Sequence, residues 1–250
     1  MNNDELLINK MLKMGTVVNG KKALLLLSGG IDSAVALYLL KARGYDVIAL
    51  SINYPGRGER ERESARRLAE MTSTRLIEVD LPFMREVTEL WSSEDERPQH
   101  LRNAHPSTIP ARNAIIYSVA AYFAEILGIN LVVAGHNADD VKHFPDTTRE
   151  FRRLFSKALS IGTYIGRTRG FRVVAPLSKL SKTGVVKLGL KLGVPFEYTW
   201  SCHNNYDKPC GHCTGCVARK RAFEELGVED PLERVIREGK DWWRIHYSKK

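Results

Sequence analysis

Ala23-Leu24-Leu25-Leu26-Leu27, followed at once by Ser28-Gly29-Gly30-Ile31-Asp32-Ser33-Ala34, sets a short apolar run against a glycine turn. An uninterrupted run of this length reads as a strand buried on both faces, the kind found in the middle of a parallel sheet. Beyond the turn, Ala34, Leu37, Tyr38 and Lys41 begin a helical pattern that Gly44 stops. The turn therefore joins a strand to a helix. Two glycines let the backbone approach an anion closely, and a helix N-terminus offers unpaired N–H groups and a positive dipole end. Ser28 and Ser33 add hydroxyls. Asp32 fits such a loop if it helps hold a divalent cation or caps the helix. Neither a Walker A loop nor a dinucleotide fingerprint is present.

The same alternation continues outward. Val47 to Ile52 and Arg75 to Val79 read as strands, separated by a charged helix, Glu59 to Met71, with Ala65, Leu68 and Ala69 on its inner face. Phe83 to Trp91 is predicted helical and Ser92 to Thr108 a loop. Arg112 to Leu127 is an apolar helix ended by Gly128, with strand Leu131 to Ala134 after it. Phe151 to Ser160, Lys182 to Leu192 and Val217 to Leu226 follow as helices. The pattern predicts an α/β fold with a doubly wound parallel sheet. Ligands bind such sheets at the carboxyl ends of the strands, so Ser28 to Ser33, Asn53 to Gly58 and Gly135 to Thr148 should gather there. The expected organisation is a helical extension over 1–20, an anion-binding α/β domain over 21–195 and a metal-binding appendage over 196–250.

All four cysteines fall within Cys202-x7-Cys210-x2-Cys213-x2-Cys216. A secreted disulfide framework would spread them through the chain, so the cluster reads as a metal site in a reducing compartment. Four thiolates suit tetrahedral zinc in a closed, structural site; an iron–sulfur cluster takes the same ligands. Lys208, Arg219, Lys220 and Arg221 stand near to offset the charge. No thiol is left over for a cysteine-type glutaminase or a persulfide relay.

The 250 residues carry 38 lysines and arginines against 29 acidic residues, a net charge of +9. That balance permits phosphate-rich partners. The bases are scattered through the sequence, and they read as solvated helix faces plus a phosphate pocket rather than a nucleic-acid platform. The longest apolar run, Ala23 to Leu27, is far below the roughly 20 residues of a membrane helix. Met1 to Lys13 does not read as a signal peptide. A cytoplasmic location and no membrane partner are expected. Exposed helix faces are compatible with a homodimer.

Ser28-Gly29-Gly30-Ile31-Asp32-Ser33 resembles the pyrophosphate loop of ATP pyrophosphatases, whose pattern is Ser-Gly-Gly-x-Asp-Ser after the first strand. That resemblance implies ATP, magnesium and cleavage between the α and β phosphates. Together with the cysteine loop, Pro110-Ala111-Arg112-Asn113, Phe144-Pro145-Asp146 and Ser181-Lys182-Thr183, the chain resembles the 7-cyano-7-deazaguanine synthase family over most of Ala23 to Leu226. The resemblance implies an ATP-dependent ligase that makes 7-cyano-7-deazaguanine from 7-carboxy-7-deazaguanine and ammonia, on the route to queuosine and archaeosine. It implies that Ser28, Gly29, Gly30, Ile31, Asp32 and Ser33 hold the phosphates. Asp32, Arg112 and Lys182 become the catalytic candidates, and Arg112, Asn113, His136 and Asp146 the substrate-binding ones. The implied metal is zinc on Cys202, Cys210, Cys213 and Cys216.

The chain departs from that family's pattern at three places. Tyr54-Pro55-Gly56-Arg57 stands where Tyr-Gly-Gln is usual, His143-Phe144-Pro145-Asp146-Thr147 replaces Gly-Tyr-Pro-Asp-Cys, and Gly135-His136-Asn137-Ala138-Asp139-Asp140 is closer to the tRNA-modifying branch. The competing reading is thus a PP-loop enzyme that adenylates a tRNA base before sulfur or nitrogen transfer. A non-enzymatic nucleotide-binding regulator is a third reading, which the cysteine loop does not support.

Overall fold

The computed structural model describes Asp4, Leu6, Leu7, residues 21–204 and residues 208–240. Its elements are β1 (Lys22–Leu26), α1 (Ile31–Ala42), β2 (Asp46–Asn53), α2 (Glu59–Met71), β3 (Arg75–Asp80), α3 (Val87–Leu90), α4 (Arg112–Ile126), β4 (Leu131–Val133), α5 (Ala138–His143), α6 (Arg149–Gly162), α7 (Tyr164–Arg169), β5 (Arg172–Val174), α8 (Lys182–Lys191), α9 (Thr214–Glu224) and α10 (Pro231–Arg237). The five strands form one parallel sheet in the order β3-β2-β1-β4-β5. This is the predicted doubly wound architecture.

The apolar first strand explains the layering. Ala23, Leu25 and Leu27 point into a core shared with Val35 of α1, Leu68 of α2, Val185 of α8 and Phe223 of α9. Leu24 faces the opposite core, with Tyr117 and Ala120 of α4 and Phe171 before β5. A strand with helices on both sides needs apolar residues at every position, hence the unbroken run. Phe196, Ala222 and Phe223 belong to the first core, so the cysteine-bearing segment is built onto the same body. Arg219 fastens it further. Only 4 % exposed, it donates to both carboxylate oxygens of Asp230 at 2.5 and 2.7 Å and to the Thr199 and Phe196 carbonyls.

The winding direction reverses between β1 and β4. Strands on one side of that point are reached through α1 and α2, strands on the other through α4 and α6. Such a switch point leaves a crevice beyond the carboxyl ends of the two strands.

Several local expectations are corrected. The predicted helix over Phe83 to Trp91 forms only as Val87–Leu90. The predicted loop from Gly135 to Thr148 contains α5, and β5, α7 and α10 were not anticipated. Of the expected extension over 1–20, the described Asp4, Leu6 and Leu7 are helical and the rest lies outside the described residues, as does the basic tail from 241. Among the described residues no helix is long and apolar enough to cross a membrane.

Candidate active site and metal centre

The turn after β1 lies at the crevice. Gly29 has φ +96°, and a β-carbon there would sit 2.1 Å from the Glu61 carbonyl oxygen and 2.8 Å from the Ala65 nitrogen. The loop rests directly on α2, and only glycine permits that approach. Ser33 Oγ sits inside the turn and accepts from the backbone N–H groups of Ser28 and Gly29 at 3.2 and 3.3 Å. Ser28 Oγ accepts from Gly30 N–H at 3.2 Å. Gly30 caps α1 without any side-chain bond, so the first turn of this 12-residue helix presents its amides to the crevice.

Asp32 is the electrostatic centre. Its Oδ2 accepts from Lys182 Nζ at 2.6 Å and from Asn137 Nδ2 at 3.2 Å, while its Oδ1 is buried with no hydrogen-bond partner. Burial pushes its pKa above the ordinary carboxylate value; Lys182 pulls it back and the nearby Asp140 adds to the rise. A buried carboxylate oxygen without a donor costs free energy unless a cation or donor meets it, so the donor set suits a hard divalent ion. Each partner is itself fixed. Ser181 caps α8 by accepting from Gly184 N–H, which places Lys182 at the helix start. Asn137 caps α5, accepting from the amides of Asp139 and Asp140 at 2.7 and 3.2 Å, while Asp140 accepts from Asn137 N–H at 2.9 Å. Gly135 lets this segment press on α1; a β-carbon would stand 2.8 Å from Ser33 N.

A cavity of about 1210 Å³ extends from this loop to the cysteines. That exceeds the roughly 300–1,000 Å³ of a single small-molecule site and has room for a nucleotide beside a second substrate. All three loops expected at the strand ends line it. Arg112, Asn113 and His136 face it, as does Lys182. Ala111, in the left-handed region with φ 52°, turns the chain into α4, and the Arg112 guanidinium lies 5.0 Å from the centre of the Phe144 ring. His136 Nε2 is 2.8 Å from Tyr117 Oη. Burial, reinforced by Arg152 and Arg112, lowers the His136 pKa to about 4, so its imidazole is neutral at pH 7.

Asp146 is placed differently from the other substrate-binding candidates and does not line the cavity. Its two carboxylate oxygens accept from Asn113 N–H at 2.8 Å and from Asn113 Nδ2 at 3.0 Å, at the start of α4. In this arrangement it orients Asn113 and complements the helix dipole.

Arg57 was not singled out as a site residue, and its burial carries no sequence signal because it opens a run of alternating charges. Its side chain is 2 % exposed. Nη2 donates to the Ser28 carbonyl at 2.5 Å, and Nη1 to the Ile52 carbonyl at 2.6 Å and Asn53 Oδ1 at 2.8 Å. One guanidinium thereby ties the phosphate-type loop to the end of β2. Glu61, 3.6 Å from Arg57 Nε, has a raised pKa because burial outweighs the attraction of Arg57. Asn137, the second overlooked residue, was legible as a capping box with Asp140.

The cysteine segment forms the far wall. The four Sγ atoms lie within 4.8 Å of one another, with Cys210 and Cys216 4.0 Å apart. A tetrahedral centre with metal–sulfur bonds of about 2.3 Å needs sulfurs about 3.8 Å apart, so the donor set fits a metal. Backbone N–H groups of Cys210, Cys213 and Cys216 donate to the sulfurs of Cys202, Cys210 and Cys213 at 3.3, 3.3 and 3.5 Å. His212 lies outside the cluster, with Nδ1 2.8 Å from the Cys210 carbonyl oxygen. Of the four bases expected to balance the cluster's charge, three are paired elsewhere: Arg219 with Asp230, Lys220 with Glu224 and Arg221 with Glu225. Trp200, 1 % exposed, donates its backbone N–H to the Gly29 carbonyl at 3.0 Å, so the metal segment and the phosphate-type loop share a bond.

Residues 22–227 match the family model described as queuosine biosynthesis protein QueC. The chain belongs to that family. A 7-cyano-7-deazaguanine synthase from Thermoplasma acidophilum is 40 % identical over 221 residues, covering 85 % of this chain and 92 % of the relative. Another from Methanoculleus marisnigri is 37 % identical over 227 residues, covering 85 % and 98 %. An NMN synthetase from Francisella tularensis superposes with TM-score 0.51 at 18 % identity, covering 100 % of this chain and 97 % of that one. A U34-tRNA thiolase from Methanococcus maripaludis superposes with TM-score 0.50 at 17 % identity, covering 97 % and 79 %. Both superpositions support the sheet topology. The family expected from the sequence and the doubly wound fold are thus borne out.

Proposed function

We propose that this QueC-family chain is an ATP-dependent ligase converting 7-carboxy-7-deazaguanine and ammonia to 7-cyano-7-deazaguanine. The observation that carries the reading is the strand–turn–helix loop with the Asp32–Lys182–Asn137 cluster facing a cavity large enough for nucleotide and acceptor together. A carboxylate is a poor electrophile because its oxygen is a poor leaving group. Its attack on the α phosphorus of ATP expels pyrophosphate and makes that oxygen part of AMP. Ammonia then adds to the acyl carbon and AMP leaves, giving the amide. A second ATP activates the amide oxygen in the same way, and loss of AMP with two protons from nitrogen gives the nitrile. Two carboxylate oxygens leave in two AMP molecules.

In this proposal the amides of Ser28 to Ser33 and the start of α1 receive the phosphates, displacing the serine hydroxyls they now meet. Asp32 Oδ1 is the natural ligand for magnesium, which would offset phosphate charge and stabilise the leaving pyrophosphate. Lys182 holds Asp32 and lies close enough to share that charge. Arg112 offers its guanidinium to the substrate carboxylate, and Asn113, held by Asp146, offers an amide to the base. The neutral His136 acts as a hydrogen-bonding group and not as a cation. Zinc is the metal proposed for Cys202, Cys210, Cys213 and Cys216, with a structural role because four thiolates leave no open position.

Incubation of the chain with ATP, magnesium, 7-carboxy-7-deazaguanine and ¹⁵N-ammonium, followed by mass spectrometry, tests this. The labelled amide should appear first and the labelled nitrile after it. Consumption of ATP only when tRNA is added, with no change in the free deazapurine, would overturn the assignment.

A further inference from the structure

Positive charge scattered through the sequence is gathered by the fold. Residues 147–182 hold nine lysines and arginines and one acidic residue, Glu150, in a chain whose net charge is +9. Two of the nine work inside the molecule. Arg152 is 4 % exposed and donates to the Thr147 carbonyl and to Ser178 Oγ, and Lys182 pairs with Asp32. The remaining seven, Arg149, Arg153, Lys157, Arg167, Arg169, Arg172 and Lys179, are exposed. Among the described residues only Arg153 of these seven makes an ion pair, to Glu150 at 2.7 Å.

Their placement is linear. Arg149, Arg153 and Lys157 are spaced by four along α6, which sets them in one row at steps of about 6 Å. α6 packs against α7 and β5, the outer strand of the sheet, so Arg167, Arg169 and Arg172 continue the charged edge. Lys179 shares a cleft of about 340 Å³ with Arg149, Arg152 and Arg153. Three arginines in the first five residues of α6 oppose the positive end of the helix, an arrangement that anions relieve. A single small anion needs one pocket; a row of this length suits a polyanion. Beside it stands Tyr164, 85 % exposed, at the start of α7, where its N–H donates to Glu125 Oε1 at 2.6 Å. The backbone carrying the ring is anchored while the ring is presented outward.

We infer that the α6–α7–β5 edge docks RNA with unstacked bases, the cations meeting phosphates and Tyr164 stacking under a base. An acidic protein would satisfy the charge but leave the anchored ring unused. A second copy across a two-fold axis would set these cations against their own copies. Arg149 begins five residues after Phe144, which lines the catalytic cavity, so bound RNA would pass beside the cavity mouth. The inference does not rest on the proposed reaction.

Fluorescence anisotropy of the full chain with a mixed-sequence 20-nucleotide single-stranded RNA, across a salt series, tests it. The triple variant Arg149→Glu, Arg153→Glu, Lys157→Glu should reduce the salt slope by about 2 and weaken binding by about 100-fold at 0.1 M salt. AMP formation with small substrates should be unchanged. Tyr164→Ala should weaken RNA binding on the order of 10-fold and leave binding of polyglutamate of equal charge unaffected. Three results would overturn the inference: RNA bound no more tightly than polyglutamate, native-like RNA binding by both variants, or a native dimer that the triple variant dissociates.

Discussion

Replacing Asp32 by asparagine removes one charge and almost no volume from the centre of the cavity. Lys182 Nζ stands 2.6 Å from the lost carboxylate, with the two side chains 16 % and 20 % exposed. Stranding one partner of a fully buried pair costs about 3–5 kcal/mol, and exposed pairs contribute at most about 1. With this partial exposure about 2 kcal/mol is expected, a fall in Tm of about 4–8 °C for a chain of this size. AMP formation should fall much further, by about 10²–10³-fold, because the oxygen proposed to meet magnesium is gone. The double variant Asp32→Asn, Lys182→Met separates the two effects. It removes the stranded ammonium and should recover most of the lost stability while recovering none of the activity. Thermal melts and AMP release on the four members of the cycle measure both. Asp32→Asn turnover within threefold of the native rate, or activity restored in the double variant, would refute the reasoning.

Gly29→Ala should destabilise the chain by at least about 2 kcal/mol and raise the ATP KM tenfold or more, since its β-carbon would meet the Glu61 carbonyl at 2.1 Å; a native melting curve would contradict this. Arg57→Gln should raise the ATP KM about tenfold with a smaller change in kcat, as the Ser28 carbonyl loses its clamp, and Arg57→Lys should partly rescue it. His136 has a folded pKa of about 4, below the ordinary value near 6.5, so the unfolded chain binds the proton more readily. Stability is then full above about pH 6.5 and falls as pH drops to about 4, by up to about 3 kcal/mol. A denaturant series over that range should show a shallower fall in His136→Gln. Removal of the metal proposed for the four cysteines by a chelator should abolish hydrogen-exchange protection of the Cys210, Cys213 and Cys216 amides and weaken ATP binding through the Trp200–Gly29 bond; protection unchanged after complete metal loss would contradict a structural site.

The parts legible in sequence are those where local chemistry and tertiary role coincide. The run Ala23 to Leu27 is apolar throughout because both of its faces are covered, and Gly29 after it is required by contact with α2. The cysteine spacing needed no fold to be read as a metal site. Elements stabilised by partners were missed. β5 has only three residues and exists because β4 offers a ladder. α5 has only six residues, buries none of them and is held by the Asn137–Asp140 capping box. Arg57 reads as one more surface charge and is instead buried beneath the loop. The pairing of Asp146 with Asn113, residues far apart in sequence, carries no local signal either. The opposite error affects Arg219, which lies close to Cys216 in sequence but is drawn away to Asp230.

The measurement that goes most directly to the reaction is isotopic. 7-Carboxy-7-deazaguanine carrying ¹⁸O in both carboxylate positions is incubated with the chain, ATP, magnesium and ammonium, and the nucleotide products are resolved by mass. Adenylation at each step predicts two AMP per nitrile, each bearing one ¹⁸O, with unlabelled pyrophosphate. Label in inorganic phosphate with ADP as the nucleotide product, or unlabelled AMP, would contradict carboxylate activation at the α phosphorus.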